Sequence, residues 1–140
     1  MKLVKVPLVV FFLFLLLVKL YFKMQDDYHA QPFFYGTVLL TSFIAIFLYP
    51  SKATWCTGMA LFSYGLYYYF SRAVLVAEPG VMDFTYPLRW LLFTDSSQSV
   101  GYRILNLFPF VFYVASIIVF LTKPLRRLYF TANKVAKFTL

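Results

Sequence analysis

Val6-Pro-Leu-Val-Val-Phe-Phe-Leu-Phe-Leu-Leu-Leu-Val18 carries no charge, follows Met1-Lys-Leu-Val-Lys5, and gives way to Lys19 and Lys23. Crossing the hydrocarbon of a bilayer takes about 20 predominantly apolar residues in a helix. Extended to Phe22, this run predicts a first span over residues 6–22. Lys19 near its end is expected to lay its stem in lipid and reach the interface with its charged head. The basic start and short apolar core also suit a signal peptide, but cleavage after Ala30 would place the bulky Tyr28 where a small side chain is needed. The first span is therefore expected to be retained.

The same pattern recurs along the chain, predicting further spans at 33–49, 54–76 and 104–122. The 140 residues are 62% hydrophobic and 13% charged, with a mean hydropathy of +0.76. Soluble domains carry roughly a quarter charged residues. The expected class is all-α: a polytopic integral membrane protein of four transmembrane helices in a bundle, forming a single domain over 1–140 with no room for a separate soluble one. Pro50-Ser51-Lys52 is too short a connection for anything but an antiparallel hairpin of spans two and three. The longest connection, residues 77–102, holds Tyr86-Pro-Leu-Arg-Trp-Leu-Leu-Phe93, which is too short to span and is expected as an interfacial helix over 86–93. The tail, 123–140, mixes Arg126, Arg127, Lys134 and Lys137 with Leu128, Tyr129 and Phe130, as a basic surface-bound segment would.

Charge sets the orientation. Lys2, Lys5, Lys52, Lys123, Arg126, Arg127, Lys134 and Lys137 fall on one side of the four-span arrangement, with no acid. The other side has Lys19, Lys23, Arg72, Arg89 and Arg103 and all five acids, Asp26, Asp27, Glu78, Asp83 and Asp95. Excess Lys and Arg in short loops marks the cytoplasmic face, so both termini are expected inside, in the cell membrane or the inner membrane of a bacterium. The net charge of +8 thus belongs to membrane orientation, and nucleic acid is not an expected partner.

Within the third span, Thr54, Gly58, Leu61, Gly65, Tyr68 and Arg72 share one helix face. Gly58 and Gly65 would let a neighbouring helix approach closely, and Thr37, Thr41 and Ala45 form a matching stripe on span two. Arg72 lies a few residues inside the predicted outer boundary, where a charge needs a partner or a polar cavity. Glu78, Asp83 and Asp95 are the available acids, and a lipid phosphate is an alternative partner. Asn106, Pro109, Tyr113 and Ser116 share a face of span four, where Asn106 can bond across helices and Pro109 frees a backbone carbonyl. Arg72, Tyr68, Asn106 and Asp83 are the candidate binding residues, read either as helix packing or as the lining of a path.

Chemistry is harder to place. Asp26, Asp27 and His29 bring carboxylates and an imidazole together, but on one short loop without further ligands. One histidine excludes a bis-histidine heme within the chain, and Cys56 alone supplies no dithiol. The aspartate-rich pattern of lipid head-group transferases and the lysine and paired-histidine pattern of membrane phosphatases are absent. No cofactor or metal is expected. The expected function is a non-enzymatic accessory, assembly or scaffold subunit whose partners are the lipid bilayer and other membrane protein subunits or copies of itself. The alternatives are a small oligomeric transporter or channel component for an anionic or lipid-like solute, and a membrane enzyme acting on lipid at the outer face through Asp26, Asp27, His29 or Asp83.

Overall fold

The computed structural model describes residues 2–24, 30–71, 82–93 and 99–135, with side chains placed for all of these except 2–4, 30–34, 90 and 132–135. Among the described residues all regular structure is helical. The order is α1 (Lys2–Met24), α2 (Ala30–Leu48), α3 (Lys52–Tyr69), α4 (Tyr86–Leu92), α5 (Val100–Leu121) and α6 (Lys123–Val135). Two helices, over Lys5–Met24 and Val100–Leu121, are long and apolar enough to cross a membrane, and Tyr35–Leu48 is a shorter apolar one. The expected end of the third span lies outside the described residues.

Local chemistry fixes where these helices begin and end. Ser51 caps α3 by a reciprocal pair: its hydroxyl accepts from the Thr54 amide at 3.1 Å, and its own amide donates to the Thr54 hydroxyl at 2.8 Å. Ser99 caps α5 through the Tyr102 amide at 3.2 Å. Pro87 sits in the first turn of α4, where its missing N–H costs nothing. Pro50 and Pro124 lie just past the ends of α2 and α5, positions where a helix cannot continue.

The contacts run α1, α2, α3 and α5 alternately up and down. Lys19 of α1 meets Gly36 of α2, while Phe12 meets Phe43 and Phe47. Ile46 of α2 faces Gly58 of α3. Along α3, Gly58, Phe62, Gly65 and Tyr69 meet Phe120, Phe112, Tyr113 and Asn106 of α5 in turn. The core is aromatic, with Phe12, Phe43, Phe62, Phe112, Tyr113 and Phe120 fully or nearly fully buried. Ring pairs such as Phe62 with Phe112 and Phe12 with Phe112 meet edge to face at 5.8 and 5.5 Å, the arrangement favoured by the ring quadrupole. The buried face of α5 (Pro109, Phe112, Tyr113, Ser116, Phe120) contains three of the four residues that helical spacing places together.

The outer faces are apolar too. Val6, Val10, Leu13 and Leu17 of α1 and Ile104, Leu107, Val111 and Ile118 of α5 are all exposed. A helix hydrophobic all round belongs in a core or in lipid, and apolar patches of this extent are rare on soluble monomers. Lys19 departs from expectation: only 5% exposed, it sits between α1 and α2 with its ammonium over Gly36, in space that a side chain at Gly36 would take.

At Gly65 the Tyr113 ring of α5 packs directly on the α3 backbone, and an added Cβ would stand 2.5 Å from it. Alanine gains about 1 kcal/mol of helix propensity over glycine. Overpacking against a buried ring costs roughly 1–3 kcal/mol, and this ring is pinned through its hydroxyl to Met82 O at 2.7 Å. Gly65→Ala should therefore lower the unfolding midpoint in detergent more than Gly58→Ala, whose Cβ meets Phe120 only at 3.0 Å; equal midpoints for the two variants would contradict this.

Candidate functional site

Pro109 opens the hydrogen-bond ladder of α5. Lacking an N–H, it leaves Leu105 O without its partner, and its ring crowds the same turn. A buried carbonyl without a donor costs on the order of 1–3 kcal/mol, and more in hydrocarbon. Thr85 answers it from outside the helix: its hydroxyl lies 3.0 Å from Leu105 O and 3.0 Å from Asp83 Oδ1, and shares one proton between them. One turn of backbone thus recruits the segment that precedes α4.

A polar cluster grows from that point. The Arg89 guanidinium donates through one terminal nitrogen to Asp83 Oδ2 and through the other to Asn106 Oδ1. The Tyr69 hydroxyl donates to Asn106 O. Arg89 also lies 5.0 Å from the Tyr102 ring centre and 5.7 Å from that of Tyr86, within cation–π range. Asp83 and Arg89 are 4% and 3% exposed. Burial pushes the Asp83 carboxyl above the usual carboxylate range, opposed by the Arg89 guanidinium and by the hydroxyl and amide of Thr85. Arg89 Nε faces no acceptor among the described residues.

The cluster fastens residues 82–93 against α1, α2 and α5. Phe84, placed between Asp83 and Thr85, reaches the middle of the helices and packs on Phe12, Phe43, Phe112 and Tyr113 at 5.2 to 6.0 Å. Met82 O accepts from Tyr113. The expected short helix is present as α4, with Leu88 and Arg89 buried and Leu91 and Leu92 exposed.

Two helix ends repeat the arrangement at the other end of the molecule. Pro50 leaves Ile46 O without an amide partner, and the Tyr129 hydroxyl of α6 donates to it at 2.5 Å. The turn at Thr122 that ends α5 leaves Phe120 O in the same state, and it accepts from Trp55 Nε1 at 3.0 Å. Burial raises the Tyr129 phenol to about 12, so it remains a donor. Each freed carbonyl is met by a side chain distant in sequence.

Of the candidate binding residues, Asp83 and Asn106 come together through Arg89. Tyr68 lies beside the Tyr64 ring at 5.8 Å, tilted by 33°, while its neighbour Tyr69 joins the cluster. Arg72 lies outside the described residues, as do Asp26, Asp27 and His29. Gly58 and Gly65 receive rings from α5, with Ile46 of α2 also at Gly58, whereas the Thr41 hydroxyl turns back to Thr37 O and Val38 O of its own helix. Arg89, Thr85 and Tyr69 were not singled out by sequence. The available signal was an arginine amid leucines six residues after an acid. Among the described residues no three His, Cys, Asp or Glu side chains gather as a metal site would require.

Comparisons with protein-family models, with curated proteins and with solved structures found no match.

Thr85→Val removes the donor to Leu105 O and should destabilise the protein by about 1–3 kcal/mol. Pro109→Ala restores the amide that Leu105 O lacks, so the same substitution in that background should cost measurably less. Equal costs in the two backgrounds, by thermal unfolding in detergent, would show that Thr85 does not serve the proline break.

Proposed function

We propose that the chain is a multi-pass membrane protein with four spans, α1, α2, α3 and α5, bundled together, and with both termini on the cytoplasmic side of a cell or inner membrane. It acts without catalysis, as an accessory, assembly or scaffold subunit that binds other membrane proteins. The apolar outer faces of α1 and α5 support the membrane setting. The charge split is supported by the end that gathers Lys5, Lys52 and α6, where Lys52 lies 5.7 Å from the Phe130 ring and Arg126 covers Trp55 and Phe130 at 5.9 and 5.5 Å. The acid Asp83 belongs to the opposite end.

The observation that carries the non-catalytic reading is how the polar cluster uses its atoms. The carboxylate of Asp83, the amide oxygen of Asn106 and the hydroxyls of Thr85 and Tyr69 bond to one another, to Arg89 or to the backbone carbonyls of Leu105 and Asn106. General acid–base work needs a group aimed at a substrate; here these groups hold a segment in place. Exposed Tyr64 and Tyr67 on α3 offer rigid aromatic anchors of the kind enriched at protein interfaces.

Topology is tested by impermeant maleimide labelling in a Cys56→Ser background. Ser97→Cys should label in intact cells and Lys52→Cys only after permeabilisation; the reverse pattern would invert the orientation, and labelling of both in intact cells would contradict four spans. Function is tested by gentle detergent extraction from the native membrane and mass spectrometry of the intact assembly. The expected result is a stoichiometric complex with different membrane chains. A pure homo-oligomer that moves an anionic solute in liposomes would replace this reading with the transporter.

A further inference from the structure

A cavity of about 440 Å³ lies between the first half of α1, the second half of α5 and the start of α6. Leu8, Phe47, Phe112, Val119 and Leu125 form its apolar wall, with Lys5 as its charged lining residue. It has a clear origin in the fold. α1 and α5 meet through Phe11 with Phe108 and Phe12 with Phe112, at 5.5 Å in both pairs. Beyond those rings, towards the basic end, the cavity lies between the two helices. The chain then turns at Lys123-Pro124, and Leu125 and Tyr129 of α6 close the end of the space.

We propose that this cavity binds one acyl chain of an anionic phospholipid from the cytoplasmic leaflet, with the phosphate held at Lys5. The inference rests on the membrane orientation proposed above and adds a ligand to it. The volume lies within the roughly 300–1,000 Å³ usual for small-molecule sites. A partner helix about 10 Å across would fill it in about one turn of 5.4 Å, too little for an interface, whereas a flexible chain can follow its walls. Val119, which lines the cavity and is exposed on α5, marks an opening towards the outer face of the helices. The Tyr129 hydroxyl is already committed to Ile46 O, and Arg126 and Lys52 lie against aromatic rings. Lys5, half-buried at the mouth, is the cation placed to meet a headgroup. The lysine stem can lie along the apolar wall while its ammonium stays at the interface.

The test is native mass spectrometry of the delipidated full chain in detergent, titrated with palmitoyl-oleoyl phosphatidylglycerol and with phosphatidylcholine of the same chains. The expected result is one retained phosphatidylglycerol, preferred over phosphatidylcholine by about fivefold, the effect of one lysine near an anionic headgroup. Lys5→Gln should remove the preference, and Val119→Trp, entering from the exposed wall, should reduce retention of both lipids. A second cavity-filling variant, Ser116→Phe, serves if Val119→Trp does not fold, with folding checked by thermal unfolding. Equal retention of the two lipids by the unaltered chain, or retention unchanged in a folded cavity-filling variant, would overturn the proposal. So would capture of free oleate in place of the phospholipid. If the lipid result fails while maleimide labelling still gives both ends inside, the site is wrong and the topology stands; inverted labelling would instead remove the premise.

Discussion

A backbone carbonyl that has lost its amide partner is the constraint on which this structure turns. Pro50 stops α2 so that Ile46 O has no amide donor, Pro109 deprives Leu105 of the N–H four residues ahead, and the turn at Thr122 that ends α5 leaves Phe120 O without one. Tyr129, Thr85 and Trp55 supply a donor to each in the same order. Water answers such breaks on the surface of a soluble protein, but among buried phenylalanines the donor has to come from the chain. Each break therefore becomes a joint that ties two remote elements: α2 to α6, α5 to the segment before α4, and α3 to the end of α5.

The joint at Leu105 has the widest consequences. Holding Thr85 there places Phe84 among Phe12, Phe43 and Phe112 and draws Asp83 and Arg89 out of solvent. Removing one member of a buried pair costs about 3–5 kcal/mol, yet replacing both with apolar residues is often neutral, so such a pair is better read as specifying position than as adding stability. Asn106, beside the freed carbonyl, orients the guanidinium, and Tyr69 links the cluster to α3. The pair fits that role: it sets where residues 82–93 enter between the helices.

Much of this was legible in the sequence, and the remainder was not for a physical reason. Apolar runs announce helices because lipid and core make the same demand, and the 106, 109, 113, 116 spacing announces the inward side of α5. Proline positions and helix ends announce which carbonyls are freed. What they do not announce is the donor, because Thr85, Trp55 and Tyr129 lie 20, 65 and 83 residues away from the acceptors they reach. Local pattern likewise favours the interface for Arg89, since an arginine among leucines with a nearby tryptophan reads the same whether it snorkels or is buried. Only the arrival of Asp83 and Asn106 decides between the two. Lys19 follows the same logic: its stem and charge suit an interface, and it is the missing side chain at Gly36 that lets it turn inward.

The central claim is that the three freed carbonyls are hydrogen-bonded by these three side chains. Solid-state NMR of carbonyl ¹³C shifts at Ile46, Leu105 and Phe120, in lipid bilayers, tests it most directly. The account predicts shifts of hydrogen-bonded helical carbonyls at all three, with Tyr129→Phe, Thr85→Val and Trp55→Phe each moving its own acceptor and leaving the other two unchanged. Shifts of unbonded carbonyls in the unaltered protein, or carbonyls indifferent to loss of their donors, would contradict it.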